Sequence, residues 1–427
     1  MKVAAWWVMS VGLIACTPTI PGLPSAGGAA WFEVKSEHFT LWTDASEQRG
    51  HELVREMERR RQVILATLNA PSNTAAFVIA LRNAGELTSY VRGNFDGVAW
   101  SASNPTGQPG VLLAADNRNS GDVLGHELAH VISYGVIANQ PDWLAEGIAT
   151  YFGSMTVEDG ETSTTVGMPR SDFARALRSS HLIAAKDLFA CASKSCKDHI
   201  FYATSWALFS FLLHDHLHAL ERYCRYLNVP QRDQIAWHEQ GSDEARHDRQ
   251  IRGGHWQQVQ QEAWRDAFPD LPPEKLDRVL REWLITGKMR VPRVKLMIRT
   301  APTQARRLDD ADVLAVRSFL QWQFIGDRKA VQADADAAIA RDRTHVLARL
   351  VDASIHGIAL ADARATVAAH PDDWRALRLL ALALHGTAEG DQVRARMCTL
   401  ASNGPPECAH TNDRRTSDSA SRHEFWR

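Results

Sequence analysis

The stretch Gly125–Phe152, GHELAHVISYGVIANQPDWLAEGIATYF, decides how the rest of the chain is read. Leu124, Leu128, Val131 and Ile132 recur at helical spacing, with Asp122 placed to cap the start and Gly135 to stop the helix. Pro141 and Asp142 open a second helix on which Leu144, Ile148 and Phe152 repeat every four residues. The joint between Gly135 and Pro141 lets the second helix fold back against the first. His126 and His130 stand four apart, so both imidazoles share one helix face and can reach one ion. Glu127 lies on the neighbouring edge of that face, beside the position of a water. Glu146 on the returning helix can supply a third protein ligand and leave a fourth position open, as catalytic zinc sites require.

The composition is compatible with that chemistry and excludes some others. A chain of 427 residues, 45% hydrophobic and 23% charged, is ordinary soluble globular protein with room for two or three domains. A formal net charge of -2 excludes a broad nucleic-acid surface, because phosphate binding needs a clustered basic excess. The arginines between Arg55 and Arg61 are interleaved by Glu56 and Glu58 and read as a solvated helix face. In HDHLH, His214 and His218 are again four apart, but no third ligand accompanies them, and a solvated helix end is the better reading.

The first residues read as an export signal. Met1 and Lys2 precede a short apolar run, too short to span a bilayer, that ends in Leu13-Ile14-Ala15-Cys16. This resembles a bacterial lipobox. The resemblance implies a signal peptide over 1–15, acylation of Cys16, a tether over 16–30 and, with Thr17 following the cysteine, the periplasmic face of the outer membrane. In an oxidising compartment Cys191 and Cys196 can close a small loop, as can Cys398 and Cys408, while Cys224 reads as a buried small hydrophobe.

The fold class expected is α+β. A small mixed α/β lobe over 31–121 contains two strands around KSEH, a helix from Ala45 to Leu68, the buried strand FVIAL, and the strands GVAWS and GVLLAA. A helical lobe over 122–290 follows, including an apolar helix from about Tyr202 and a polar stretch between Asn228 and Gln261 that reads as a surface insertion. Residues 300–400 are helical, with two helix–turn–helix joints at AIARDRTHVLARL and TVAAHPDDWRALRLL. These resemble degenerate tetratricopeptide repeats, which would recruit a protein partner; a plain helical bundle remains open. The last residues, 401–427, read as a disordered tail.

HELAH together with WLAEGIATY resembles the gluzincin clan of zinc metallopeptidases, the H-E-x-x-H plus Glu group that includes thermolysin. Within it the chain is similar to exported peptidase-MA-like proteins that carry helical repeats. A metzincin is excluded, because its third histidine would fall at Val136. The resemblance implies one Zn2+ per chain on His126, His130 and Glu146, Glu127 as general base, and Tyr202 as donor to the oxyanion. It implies a peptide or protein substrate, and an extended peptide pairing with the strand VLLAA. The third ligand follows the second histidine more closely than in thermolysin, so thermolysin's specificity does not carry over. A selective envelope endopeptidase is the leading expectation. A catalytically silent, metal-binding scaffold lipoprotein is the alternative, disfavoured by Glu127, since a structural site needs no base.

Overall fold

The structure, a computed structural model, describes residues 20, 22–68, 74–91, 96–116, 120–137, 139–155, 157, 163–179, 182–191, 196–228, 244–286, 292–299, 301–401 and 408. The signal segment and Cys16 lie outside the described residues, as does nearly all of the tail after 401.

The strands read in the first lobe all form, with the helix between them starting at Glu47. Strands β1 (Trp31–Lys35) and β2 (Phe39–Thr43) pair antiparallel around KSEH, and α1 (Glu47–Leu68) leads to β3 (Ala76–Leu81), parallel to β2. A short α2 (Ala84–Leu87) precedes β4 (Gly97–Trp100) and β5 (Gly110–Ala114); β5 lies between β3 and β4, parallel to β3 and antiparallel to β4. The strand VLLAA is therefore interior and cannot accept an extended peptide. Among the described residues the edge strand on that side is β4.

The helical lobe starts with α3 (Ser120–Val136) and α4 (Asp142–Gly153). Helix α3 begins three residues earlier than expected, placing Asp122 inside its first turn, and it runs one residue beyond Gly135. Strand β6 (Ser163–Thr165), α5 (Ser171–Ser179), α6 (Ala185–Ala190), α7 (His199–Asp215) and α8 (Leu217–Asn228) follow. Next come α9 (Glu244–Ala267), α10 (Pro273–Ile285) and β7 (Arg293–Lys295), which pairs with β6. The polar stretch read as an insertion is thus helical from Glu244 onward; residues 229–243 lie outside the described residues. Among the described residues no helix is long and apolar enough to cross a membrane.

The C-terminal helices divide between two cores: the first of them pack on the sheet of the first lobe, whereas Val346, Leu350, Ala363, Ala376 and Leu379 form a cluster of their own. Strand β8 (Gln304–Leu308) returns to the first lobe and pairs antiparallel with β1, completing a six-stranded sheet in the order β4-β5-β3-β2-β1-β8. Helices α11 (Asp310–Leu320), α12 (Arg328–Arg341) and α13 (Val346–His356) then cover the second face of that sheet. Alternation along the strands explains why. Val78, Ala80, Val111 and Leu113 join the core shared with α1 and α3, whereas Phe77, Ile79, Leu81, Leu112 and Ala114 join Leu314, Phe319 and Val351 on the other face. Arg306 of β8 bonds Glu33 of β1 at 2.7 Å and Asp312 of α11 at 2.9 Å, and His345 meets Asp312 at 3.1 Å. Helices α14 (Leu360–Ala369), α15 (Trp374–Ala383) and α16 (Ala388–Leu400) complete the chain, with both expected joints formed as turns between helices. Disulfides join Cys191 to Cys196 and Cys398 to Cys408, and Cys224 is free and buried.

The arginine-rich face of α1 is not solvated as expected. Glu58, Arg60 and Arg61 are buried. Glu58 accepts from Ser36 Oγ at 2.7 Å and from the His38 N–H at 3.0 Å, and Arg60 bonds Glu56 at 2.8 Å. Glu58 thus ties α1 to the turn between β1 and β2, and Arg60 is paired one turn back along α1 itself.

A second buried acidic pair sits after β2. Asp44 Oδ1 accepts the Arg82 N–H at 2.6 Å, and its carboxyl faces that of Glu86, which the Arg82 guanidinium holds. Burial first, then the facing Glu86 carboxyl, pushes Asp44 up from 3.8 to about 8. The folded state therefore binds this proton more tightly than the unfolded chain. Its stabilisation is complete below the ordinary carboxylate value and is lost as pH rises through about 8. Asp44→Asn supplies a permanent donor to Glu86. It should stabilise the fold at pH 8 by roughly 1–3 kcal/mol, the cost of leaving such a group unsatisfied, and much less at pH 4. Thermal unfolding of both proteins across that range checks the slope; parallel curves would count against a shared proton.

Candidate metal centre

Glycines bring three helices close enough to build the centre. A Cβ on Gly125 would lie 2.5 Å from Arg60 Nη1 and 3.0 Å from the Phe152 carbonyl oxygen, so glycine there lets α3 approach α1 and the end of α4 closely. A Cβ on Gly147 would lie 2.6 Å from the Ser205 carbonyl oxygen, which fixes the close crossing of α4 and α7. His126 thus follows one contact glycine and Glu146 precedes the other. Gly147→Ala should destabilise the protein by about 1–3 kcal/mol, as overpacking does. Urea unfolding with metal withheld isolates that effect from ligand loss.

Helix α3 places His126 and His130 on one side, and α4 returns to lay Glu146 across them. The imidazole Nε2 atoms are 3.2 Å apart, and each lies 3.3 Å from Glu146 Oε2. The three atoms form a nearly equilateral triangle. The edge of a tetrahedron with metal–ligand bonds of about 2.0–2.1 Å is about 3.3–3.4 Å, so the triangle fits three corners of such a site. Two imidazole nitrogens facing each other at this distance need a cation or a proton between them, and the donor set of two imidazoles and one carboxylate suits a divalent ion. Among the described residues these three form the one His/Cys/Asp/Glu group arranged to hold a metal ion. Burial works against charge on Glu146, but hydrogen bonds from His126 and His130 carry its carboxyl far below the usual range. It is an anionic donor.

Residues 123–231 match a family model described as "Protein of unknown function (DUF1570)". The matched span runs from within α3 to beyond α8 and contains His126, His130 and Glu146. No curated protein matches the chain.

The other expected site residues lie around the cluster. Burial lifts the Glu127 carboxyl above its ordinary range, and the charge of Glu146 adds to that lift, against His126 and a hydrogen bond from the Ala99 N–H. Ala99 is on edge strand β4, and a Cβ on Gly97 would lie 3.2 Å from Glu127 Cγ, so the strand runs directly beside this side chain. The Tyr202 ring is 6.3 Å from that of His126. Burial and the charges of Glu146 and Glu127 push its hydroxyl up to about 12, which keeps it a donor at neutral pH. His214 lies in the last turn of α7 and approaches Tyr151, while His218 follows the break on α8.

Two neighbours were not read from the sequence. Tyr134 stacks on His130 with ring centroids 6.1 Å apart, and the His126–His130–Tyr134 spacing of four carries that signal. Lys197 reaches Glu146 from a segment with no local pattern pointing to it.

Proposed function

We propose that the chain is a zinc-dependent metallopeptidase that hydrolyses peptide bonds, and that it acts as a selective endopeptidase. The observation that carries this reading is the equilateral triangle of His126 Nε2, His130 Nε2 and Glu146 Oε2 with an ionisable glutamate, Glu127, beside it. A zinc ion on those three residues would supply Lewis acidity, polarising a carbonyl and lowering the pKa of a water towards 7. Glu127, fixed by the Ala99 N–H, takes the proton of the attacking water and returns it to the leaving amine. Tyr202 donates its hydroxyl proton in a hydrogen bond to the developing oxyanion. The edge strand β4, whose Ala99 N–H is taken by Glu127, offers its remaining outward main-chain groups to an extended peptide.

The same reading includes export and a lipid anchor at Cys16, resting on Leu13–Cys16 alone, and a protein partner for α12–α16, resting on their helix-pair pattern. The test is metal content by mass spectrometry of the full chain in detergent, followed by incubation with a peptide library. About one zinc per chain with cleavage within peptides supports the proposal. Metal bound without cleavage of any peptide or protein offered transfers the assignment to a metal-binding scaffold. No metal bound after zinc is supplied removes the hydrolase reading.

A further inference from the structure

We propose that Lys197 is a positioning residue that holds Oε1 of Glu146, so that Oε2 alone is presented to the cluster. This rests on the reading of His126, His130 and Glu146 as metal ligands. Lys197 Nζ lies 3.1 Å from Glu146 Oε1 and 3.1 Å from Asp142 Oδ2. Those two carboxylates are one turn apart on α4, so a single ammonium bridges them.

A carboxylate can bind an ion through one oxygen or both. Here one oxygen is committed to a charge-assisted hydrogen bond, and the other faces both imidazoles at 3.3 Å. The division is sharp, because Glu146 is buried and has little room to rotate. Lys197 is itself braced on both sides. Cys196 before it is tied to Cys191 at the end of α6, and Asp198 after it caps α7 by accepting the Phe201 N–H at 2.8 Å. A cation beside a metal ligand would ordinarily oppose metal binding. Placed on the far oxygen it neutralises the buried carboxylate and keeps the coordination number low, preserving the open position that catalysis needs.

Cobalt(II) tests this, because its visible absorption distinguishes four- from five-coordination. The full chain, Lys197→Met and Lys197→Arg are loaded with cobalt and compared at equal metal content. The parent should show an intense four-coordinate band. Lys197→Met should lose much of that intensity as the freed Oε1 enters coordination, and Lys197→Arg, which retains a donor, should restore it. Superimposable parent and Lys197→Met spectra would overturn the proposal while leaving the metal site intact. If circular dichroism shows that Lys197→Met does not fold, Lys197→Arg decides: a weak five-coordinate spectrum from that folded variant overturns the proposal, and a parent-like one supports it. A parent that takes up no cobalt overturns the metal reading and this proposal with it.

Discussion

Replacing Glu127 by Gln should lower peptide hydrolysis by about 10²–10⁴-fold, the range that a positioned general base contributes, while zinc content stays at the parent level. The amide keeps the size of the carboxylate, and its oxygen can still accept from the Ala99 N–H that faces Glu127. Its place beside β4 is therefore retained and only proton transfer is lost. The loss should fall on kcat, since Glu127 acts on the reacting water and not on the bound chain. Single-turnover cleavage of a library-derived peptide, with metal assayed in the same sample, separates the two quantities. Undiminished hydrolysis would show that some other group takes the proton and would remove Glu127 from the mechanism.

Glu146→Ala should have the largest effect on metal binding. It deletes one corner of the triangle and the only anionic ligand in it. Removing an outer partner of a metal ligand typically weakens binding about 10–100-fold, so loss of the ligand itself should exceed about 100-fold. Competition with a chelating dye measures it. A second readout is stability. Zinc at about 100 times its dissociation constant stabilises a folded protein by about 2.7 kcal/mol, so the parent should gain several degrees in unfolding temperature on zinc addition and the variant almost none. Equal affinity in both proteins would mean that a different group supplies the third ligand. Without zinc the variant also strips Lys197 of one of its two carboxylates, leaving Asp142 as its partner.

The centre was legible because its information is local. His126, Glu127 and His130 share one turn of helix, and Glu146 follows on the next helix after a Pro-marked joint, so periodicity alone brings them together. Lys197 was not legible, because it reaches α4 across a distance in the chain that no periodicity spans. The sheet was legible strand by strand, yet its second cover was not. The signal was present in FVIAL and GVLLAA, whose residues are apolar at every position. A strand solvated on one face would alternate, so these runs already required a second layer. The strand QARRL gave no such signal, with Arg306 and Arg307 in it, because its side chains lie at an edge and are mostly exposed. The buried charges of α1 differ from the expectation for a related reason: Glu58 looks solvated until Ser36 and His38 are brought beside it by the pairing of β1 and β2.

The pairing of β1 with β8 sets an order of assembly. Trp31 meets Leu308, and the helices that seal the sheet's second face extend to His356, so the first strand to emerge must wait for nearly the last third of the chain. Contacts of such long sequence separation form slowly. A chain threaded outward from its N-terminus would therefore carry HELAH well before the sheet that supports it could close. The support beneath the His126–His130–Glu146 triangle would then be completed only when the helices that seal the sheet have formed.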